Sequence, residues 1–337
     1  MEENKVVING NEFYNMDCRE GCKKHIEDNS IDLIVTDPPF AIEGDELEKH
    51  YNRDEDKVLE DYGEIPAEEY PEFSKEWIKQ AERILKPGGS IYIFSGFNYL
   101  YDILDALKDT DLKLVNHLIW HYPFGVYTKN KYVTSHYHCL YYYKPGGDKT
   151  FNTFCRYGQR EKNDEGDKLN YKDRQDVWKI NKDYKKGETK CKNELPEELL
   201  SKIIRYSSNE GDIVCDLFLG SFSTSKVAIG LNRKTIGFEK IDSIFEYGLG
   251  NVKNVEEGYL KDKVRKPKKE KLENQGKKWS DEEIARLLKR YVEIYDELGV
   301  KKDTIQKLIK EFGRGKFGID RILKQNNKTL EKMKKKF

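Results

Sequence analysis

Ile31-Asp32-Leu33-Ile34-Val35-Thr36-Asp37-Pro38-Pro39-Phe40 is a short apolar run that ends at an acid, two prolines and an aromatic ring. A run of this kind, bounded by prolines and rich in β-branched residues, reads as a buried strand. Downstream, Phe73, Trp77, Ala81 and Ile84 recur at helical spacing. Pro87-Gly88-Gly89 is expected to end that helix before the next strand, Ser90-Ile91-Tyr92-Ile93-Phe94. A helix near 98–107 and strands over 113–120 and 132–143 follow. Pro196 then opens a helix with Leu199, Leu200, Ile203 and Ile204 on one face. A strand over 212–218, a Gly/Ser loop, a helix over 224–231 and a strand over 234–239 complete the pattern. Strands alternating with helices predict an α/β fold with a mostly parallel, doubly wound sheet.

The 337 residues leave room for one large α/β domain and a small second one. No stretch approaches the roughly 18 apolar residues of a membrane helix. Met1-Glu2-Glu3-Asn4-Lys5 lacks the basic-then-apolar pattern of a signal peptide, so a cytoplasmic protein without membrane contact is expected. The six cysteines form no CxxC pair, and the one close pair, Cys18 and Cys22, is spaced CxxxC. They read as buried thiols in a reducing compartment, and no metal site is expected. The net charge is zero but unevenly placed. Residues 261–337 carry 25 Lys+Arg and 13 Asp+Glu, leaving 36 basic and 48 acidic residues in the remainder. The C-terminal quarter should be drawn to a polyanion. Residues 43–72, with 13 acidic and three basic side chains, read as a long acidic loop.

Asp37-Pro38-Pro39-Phe40 stands at the carboxyl end of its strand, where open α/β sheets bind ligands. Two prolines remove two N–H donors and fix φ, so the turn is stiff and its carbonyls are left unpaired. Such a turn can hold an amino group, with Asp37 and the Pro38 carbonyl each accepting one N–H and Phe40 stacking on a flat ring. The exocyclic amine of a base is a poor nucleophile because its lone pair is delocalised. Two acceptors draw the nitrogen toward tetrahedral geometry, and the amine can then attack a sulfonium methyl in line. An aromatic platform offsets part of the cost of taking the base out of its stack. The same four residues also suit an ordinary β-turn with Phe40 as core filler.

Asp212 to Thr224 is strand, small-residue loop, helix, and Glu239 ends the next strand 19 residues after Gly220. That spacing suits an acid on a ribose diol. The loop is neither GxGxxG, since Phe222 holds the second glycine position, nor a P-loop. A pyrophosphate cradle is disfavoured, and a nucleoside without phosphate fits better. An ordinary βαβ turn has the same layout.

Together the two segments resemble the S-adenosylmethionine-dependent DNA amino-methyltransferases. Asp37-Pro38-Pro39-Phe40 is similar to that family's target-amine motif, which implies catalytic roles for all four. Asp216 to Thr224 is similar to its cofactor loop, implying S-adenosylmethionine contacts at Asp216, Phe218, Gly220, Ser221, Ser223 and Thr224. Glu239 resembles the ribose-binding acid. Asn15-Met16-Asp17-Cys18 resembles an early acidic segment whose Asp17 would reach the adenine. Lys86-Pro87-Gly88-Gly89, the stretch from Trp120 to Lys144 and Glu194-Leu195-Pro196-Glu197 match further landmarks. The target motif precedes the cofactor motif, the order called beta, which places target recognition between them, at 146–192. Leu217 stands for the usual proline, Phe222 for the second glycine, and Lys190-Cys191-Lys192-Asn193 where a Lys-His-Pro pattern is expected. The resemblance implies a Rossmann-like methyltransferase fold over 1–260, double-stranded DNA as partner, a possible cognate restriction endonuclease, and no metal. Asp in the first motif position leans toward adenine N6, with cytosine N4 as the alternative. Protein-glutamine and ribosomal RNA methyltransferases carry the motifs in the opposite order. Carbon-5 methylation would need a Pro-Cys dipeptide, which the chain lacks. A DNA-binding regulator on the same scaffold remains as a non-enzymatic reading.

Residues 261–278 read as a charged linker and 279–337 as a basic helical module. Ser280-x-x-Glu283 is a capping box, with Ile284, Leu287, Leu288, Tyr291, Tyr295 and Leu298 at helical spacing until Gly299. Asp303 is expected to cap a second helix and Gly313–Gly318 to form a turn, after which Ile319, Ile322 and Leu323 begin a third. Three short amphipathic helices with a glycine turn suit a helix-turn-helix-like, DNA-binding module. Trp279 to Ile284 faintly resembles the start of a Myb-like helix. A helical cap on the catalytic domain is the alternative.

Overall fold

A computed structural model describes residues 4–39, 65–123, 125, 129–183, 194–263, 272–274 and 276–334. The chain divides into two compact units, residues 1–264 and 265–337. The first holds β1 (Lys5–Ile8), β2 (Asn11–Tyr14), α1 (Cys18–His25), β3 (Ile31–Thr36), α2 (Tyr70–Ile84), β4 (Leu85–Ser95), α3 (Leu100–Lys108), β5 (Lys113–His121), β6 (His136–Tyr143), α4 (Leu169–Asp173), β7 (Val177–Lys179), α5 (Glu197–Ser207), β8 (Ile213–Asp216), α6 (Ser223–Gly230), β9 (Lys234–Phe238) and α7 (Asp242–Val252).

The strands form one sheet in the order β1-β2-β9-β8-β3-β4-β6-β5-β7. Among the described residues only β1 and β6 run against the other seven. This is the doubly wound, mostly parallel sheet expected from the alternation of elements. The fully buried β3 contributes Ile31 and Ile34 to a core shared with α1, α2 and α3, and Leu33 and Val35 to one shared with α5 and α6. That two-sided burial explains its unbroken apolar run. A third cluster, around Phe13, Phe222 and Phe245, lies beneath β2 and α7.

Several boundaries differ from expectation. Helix α2 stops at Ile84, before Pro87-Gly88-Gly89, which belong to an amino-terminal extension of β4. A register shift between Ile31 and Leu33 accommodates it. Gly88 N–H donates to the Lys144 carbonyl at 2.7 Å, and Lys144 N–H returns a bond to Gly89 at 3.0 Å. Strand β6 starts at His136 rather than 132. Within 146–192, weakly patterned in sequence, Val177–Lys179 adds an edge strand beside β5, while 184–193 lie outside the described residues. Of the acidic segment 43–72, residues 43–64 lie outside them too, and Tyr70 to Glu72 form the first turn of α2. The cysteines among the described residues are free.

The second unit holds α8 (Asp281–Leu298), α9 (Lys301–Phe312), α10 (Lys316–Gln325) and α11 (Asn327–Lys334) around Leu287, Leu308 and Ile319. Ser280 caps α8 by accepting the Glu283 N–H at 3.1 Å, and Gly299 ends it in the left-handed region. The Glu283 carboxylate pairs with Arg314 at 2.7 Å. Val300, not Asp303, is the N-cap of α9, and Asp303 sits inside the first turn. The turn after α9 is shorter than expected, Gly313 to Gly315, and a fourth helix follows the third. Part of the expected linker packs onto this unit. Asn274 N–H donates to the Gly313 carbonyl, and Arg314 donates to the carbonyls of Lys277 and Lys278.

Candidate active site

Strands β3 and β8 are neighbours, yet the chain leaves β3 toward β4 on one side and β8 toward β9 on the other. Such a reversal opens a crevice at the carboxyl ends of the strands. Asp37 follows β3, the loop 217–222 follows β8, Glu239 follows β9 and Asp17 follows β2, so all lie at one edge of the sheet.

Asp37 is half-buried, but its Oδ1 is sealed from solvent and lacks a hydrogen-bond partner among the described residues. Burial, then the nearby charge of Asp216, pushes its carboxyl up to about 8, and Lys182 opposes them. Pro38 is buried and Pro39 half-buried; Phe40 lies outside the described residues. On α2, the hydroxyls of Tyr70 and Ser74 and the indole N–H of Trp77 are likewise buried and unpartnered. They recur at positions i, i+4 and i+7, one stripe of the helix. Trp77 stands edge-on to Phe218 at 5.6 Å, and Tyr70 is held up by burial and by the charge of Asp37.

Asp216 is buried and acts as a brace. Its Oδ1 accepts from Thr36 Oγ1 and from Phe218 N–H, both at 3.1 Å, tying β8 to β3 and to its own loop. Burial pushes it up to about 7, against the bond from Thr224. Gly220 adopts φ +51°, and among the described residues no atom lies within 4 Å of where its Cβ would stand, so the backbone is open to a ligand there. Its N–H donates to Glu239 Oε2 at 3.0 Å, and Ile241 N–H to Oε1 at 2.9 Å. Burial raises the Glu239 carboxyl while these N–H groups oppose it. Ser221 and Ser223 share a hydroxyl bond at 2.8 Å. Asp17 caps α1; burial raises its carboxyl, but the bonds from Arg19 at 2.8, 2.9 and 3.0 Å outweigh that and hold it low.

Phe222 keeps the left-handed backbone of the glycine it replaces, at φ 64°, and its ring is fully buried against Phe13 and Phe245 rather than in the crevice. Lys182 was not singled out in the sequence. Its ammonium lies 4.4 Å from the Tyr122 ring, 5.3 Å from Tyr137 and 5.9 Å from Trp120. It comes from a polar stretch with no local pattern to mark it. Among the described residues no group of three His, Cys, Asp or Glu is placed to hold a metal, and no helix is long and apolar enough to cross a membrane.

The model of the DNA methylase family with N6 and N4 specificity matches residues 31–249, which takes in both motifs and the strands that carry them. The chain belongs to the DNA methylase family. Relatives include the type II methyltransferase M.HpaI of Haemophilus parainfluenzae, 33% identical over 225 residues, covering 64% of this chain and 66% of that protein. The type II methyltransferase M.BamHI of Bacillus amyloliquefaciens is 35% identical over 243 residues, covering 67% of this chain and 54% of that one. The chain thus spans between about half and two-thirds of the length of these relatives. Among solved structures, the cytosine-N4-specific PvuII DNA methyltransferase shares the fold at a TM-score of 0.57 and 17% identity, covering 78% of this chain and 94% of that one.

Proposed function

We propose that this chain is a site-specific DNA methyltransferase that transfers a methyl group from S-adenosylmethionine to the N6 amino group of adenine in double-stranded DNA. The observation that carries the reading is the unpartnered, sealed Oδ1 of Asp37 at the switch point, beside a loop whose open Gly220 is tied to Glu239. A buried acceptor without a donor is costly, by about 1–3 kcal/mol, unless something supplies one. The amine of a flipped base would supply it.

The residues present fit the cofactor. Glu239 uses its two oxygens on Gly220 and Ile241 and keeps free lone pairs for a ribose diol. Gly220 leaves room for close approach, Phe218 offers a ring, and Asp17 lies at the same edge for the adenine. S-adenosylmethionine, when bound, supplies a methyl group activated by its sulfonium. Asp37 and the Pro38 carbonyl would accept the two amine N–H groups and localise the nitrogen lone pair, and Phe40 would stack on the base. The new N–C bond forms as the S–C bond breaks, and Asp37 can take the proton the nitrogen releases, which a raised affinity for protons favours. Lys182 would favour the ionised Asp37 beforehand. The type II designation of the relatives suggests a cognate restriction endonuclease as partner.

Sequencing the DNA of an expressing host with modification-sensitive reads tests this. N6-methyladenine at one recurrent site is expected. N4-methylcytosine would move the target base, and unmodified DNA from a protein that still binds S-adenosylhomocysteine would leave a regulator on a methyltransferase scaffold. Asp37→Ala should lower methyl transfer roughly 100-fold or more while calorimetry finds S-adenosylhomocysteine affinity unchanged. Glu239→Ala should weaken that affinity; an unchanged value would place the ribose elsewhere.

A further inference from the structure

In the C-terminal unit the three cations of α8 and Lys307 of α9 are ion-paired within the unit. Arg286 and Arg290 pair with Glu311 at 3.2 and 3.1 Å, Arg290 with Glu293 at 2.6 Å, and Lys307 with Glu297 at 3.3 Å. Helix α10 differs. Lys316, Arg321 and Lys324 are exposed and have no ion pair among the described residues. Phe317 is 80% exposed. Phe317, Arg321 and Lys324 follow one another at i, i+4 and i+7, so they share a face, opposite the buried Ile319, Ile322 and Leu323. The face is also held rigidly. Gly313, Arg314 and Gly315 are the whole connection from α9, and the buried Arg314 is locked by Glu283, by the carbonyls of Lys277 and Lys278, and against the Trp279 ring at 4.4 Å.

We infer that α10 is the element by which the C-terminal unit docks on duplex DNA, with Lys316, Arg321 and Lys324 on phosphates and Phe317 against the sugar and base edges. The inference rests on the reading of the chain as an enzyme that acts on DNA. Its warrant is charge complementarity. On the Phe317 face Arg321 and Lys324 are two cations without an ion pair among the described residues, and the half-buried Asp320 is the one acid of α10. A polyanion releases counterions when such cations meet it. An exposed phenylalanine between them adds apolar contact that a purely solubilising surface has no use for.

The test uses the full chain, a fluorescent duplex containing the methylated site, and polarisation measured across a salt series. The double variant Arg321→Ala, Lys324→Ala should bind roughly ten-fold more weakly at low salt, with the log–log salt slope smaller by about 1.8, since two phosphates are no longer neutralised. Phe317→Ala should weaken binding and leave the slope unchanged. A charge-matched control, Lys289→Ala with Lys307→Ala on α8 and α9, should bind within about two-fold of the parent. S-adenosylhomocysteine affinity should be equal throughout, which certifies the fold. An α10 double variant with the parent's affinity and slope, in a protein that still methylates DNA, overturns the docking face alone. An equal loss in the control overturns it as well, since any pair of cations would then serve. A parent chain that binds neither duplex nor S-adenosylhomocysteine overturns the enzymatic reading and the docking face with it.

Discussion

In the proposed reaction the carboxyl group of Asp37 must be ionised to take the proton that the amine releases, yet burial and Asp216 hold its affinity for protons up to about 8. The groups facing it are Asp216 from β8, Tyr70 from α2, Cys139 from β6 and the ammonium of Lys182. Among these described groups Lys182 is the attraction, and its ammonium lies over the rings of Tyr122 and Tyr137. The charge of Lys182 lowers the proton affinity of Asp37. The acid limb of kcat/KM should therefore lie near pH 8, where the free enzyme's Asp37 ionises. Lys182→Met should move that limb to higher pH and leave S-adenosylhomocysteine affinity intact, while Lys182→Arg restores the parent profile. A limb unmoved by Lys182→Met would remove the lysine from the site. Stability carries the same sign. Between the ordinary aspartate range and pH 8 the folded Asp37 keeps a proton that the unfolded chain has lost, so stability falls as pH rises across that window. Asp37→Asn mimics the neutral form, and its Tm advantage over the parent should grow from pH 4 to 8 and then level off. Asp37, Gly220 and Glu239 were legible in the sequence because each belongs to a short motif that punctuates a strand end. Lys182 and Tyr70 were not, because only tertiary folding brings their segments to the crevice.

Two elements show how local sequence is overridden or reused. Pro87-Gly88-Gly89 reads as a helix stop, but it lies on β4 and meets Lys144-Pro145-Gly146-Gly147, the segment that follows β6. A Cβ on Gly88 would fall 2.4 Å from the Asp148 carbonyl oxygen, and one on Gly147 2.5 Å from that of Pro87, so glycine is demanded by the approach of one backbone to the other. The cofactor loop shows the converse. Phe222 at a glycine position reads as a departure, yet its ring fills the third core cluster, and a Cβ on Gly248 would fall 2.1 Å from that ring. Phe222→Gly, which restores the glycine of the family's loop, should relieve about 1 kcal/mol of left-handed strain but open a cavity costing about 3–5 kcal/mol, so urea unfolding should find a net loss. A gain would mean that the ring is dispensable. Gly248→Ala should cost about 1–3 kcal/mol, and Phe222→Leu in the same chain should recover part of it. The long periodic elements were legible: α2, α5, β3 and α8 follow their apolar spacing. Strand β7 was not, because three residues carry no period, and Asp303 misled because an acid suits the first turn of a helix as well as its cap.

For the whole molecule, charge and fold are divided along the same line. Residues 265–337 carry 23 Lys+Arg against 12 Asp+Glu, leaving 38 basic and 49 acidic residues in the unit that holds the candidate site. Each unit has its own buried core, so neither depends on the other for its hydrophobic cluster. If the chain acts on DNA as proposed, its acidic unit repels the phosphates and the basic unit on the same chain offsets that repulsion. The natural place to cut is after Val264, because the residues before it belong to the first unit: Arg205 donates to the Leu260 and Lys261 carbonyls, and Lys261 pairs with Glu210 at 2.8 Å. Removing 265–337 at that point should leave S-adenosylhomocysteine affinity unchanged while duplex binding weakens and its salt dependence flattens, by about 0.9 slope units for each phosphate no longer neutralised. The flattening separates a DNA-binding unit from a structural cap. Removing a cap would alter thermal stability, whereas removing cations that neutralise phosphates changes the slope. If the truncated, folded chain bound duplex with the parent's affinity and slope, the DNA surface would have to be sought between residues 120 and 192, where Lys129, Lys131 and the fully exposed Tyr132 stand.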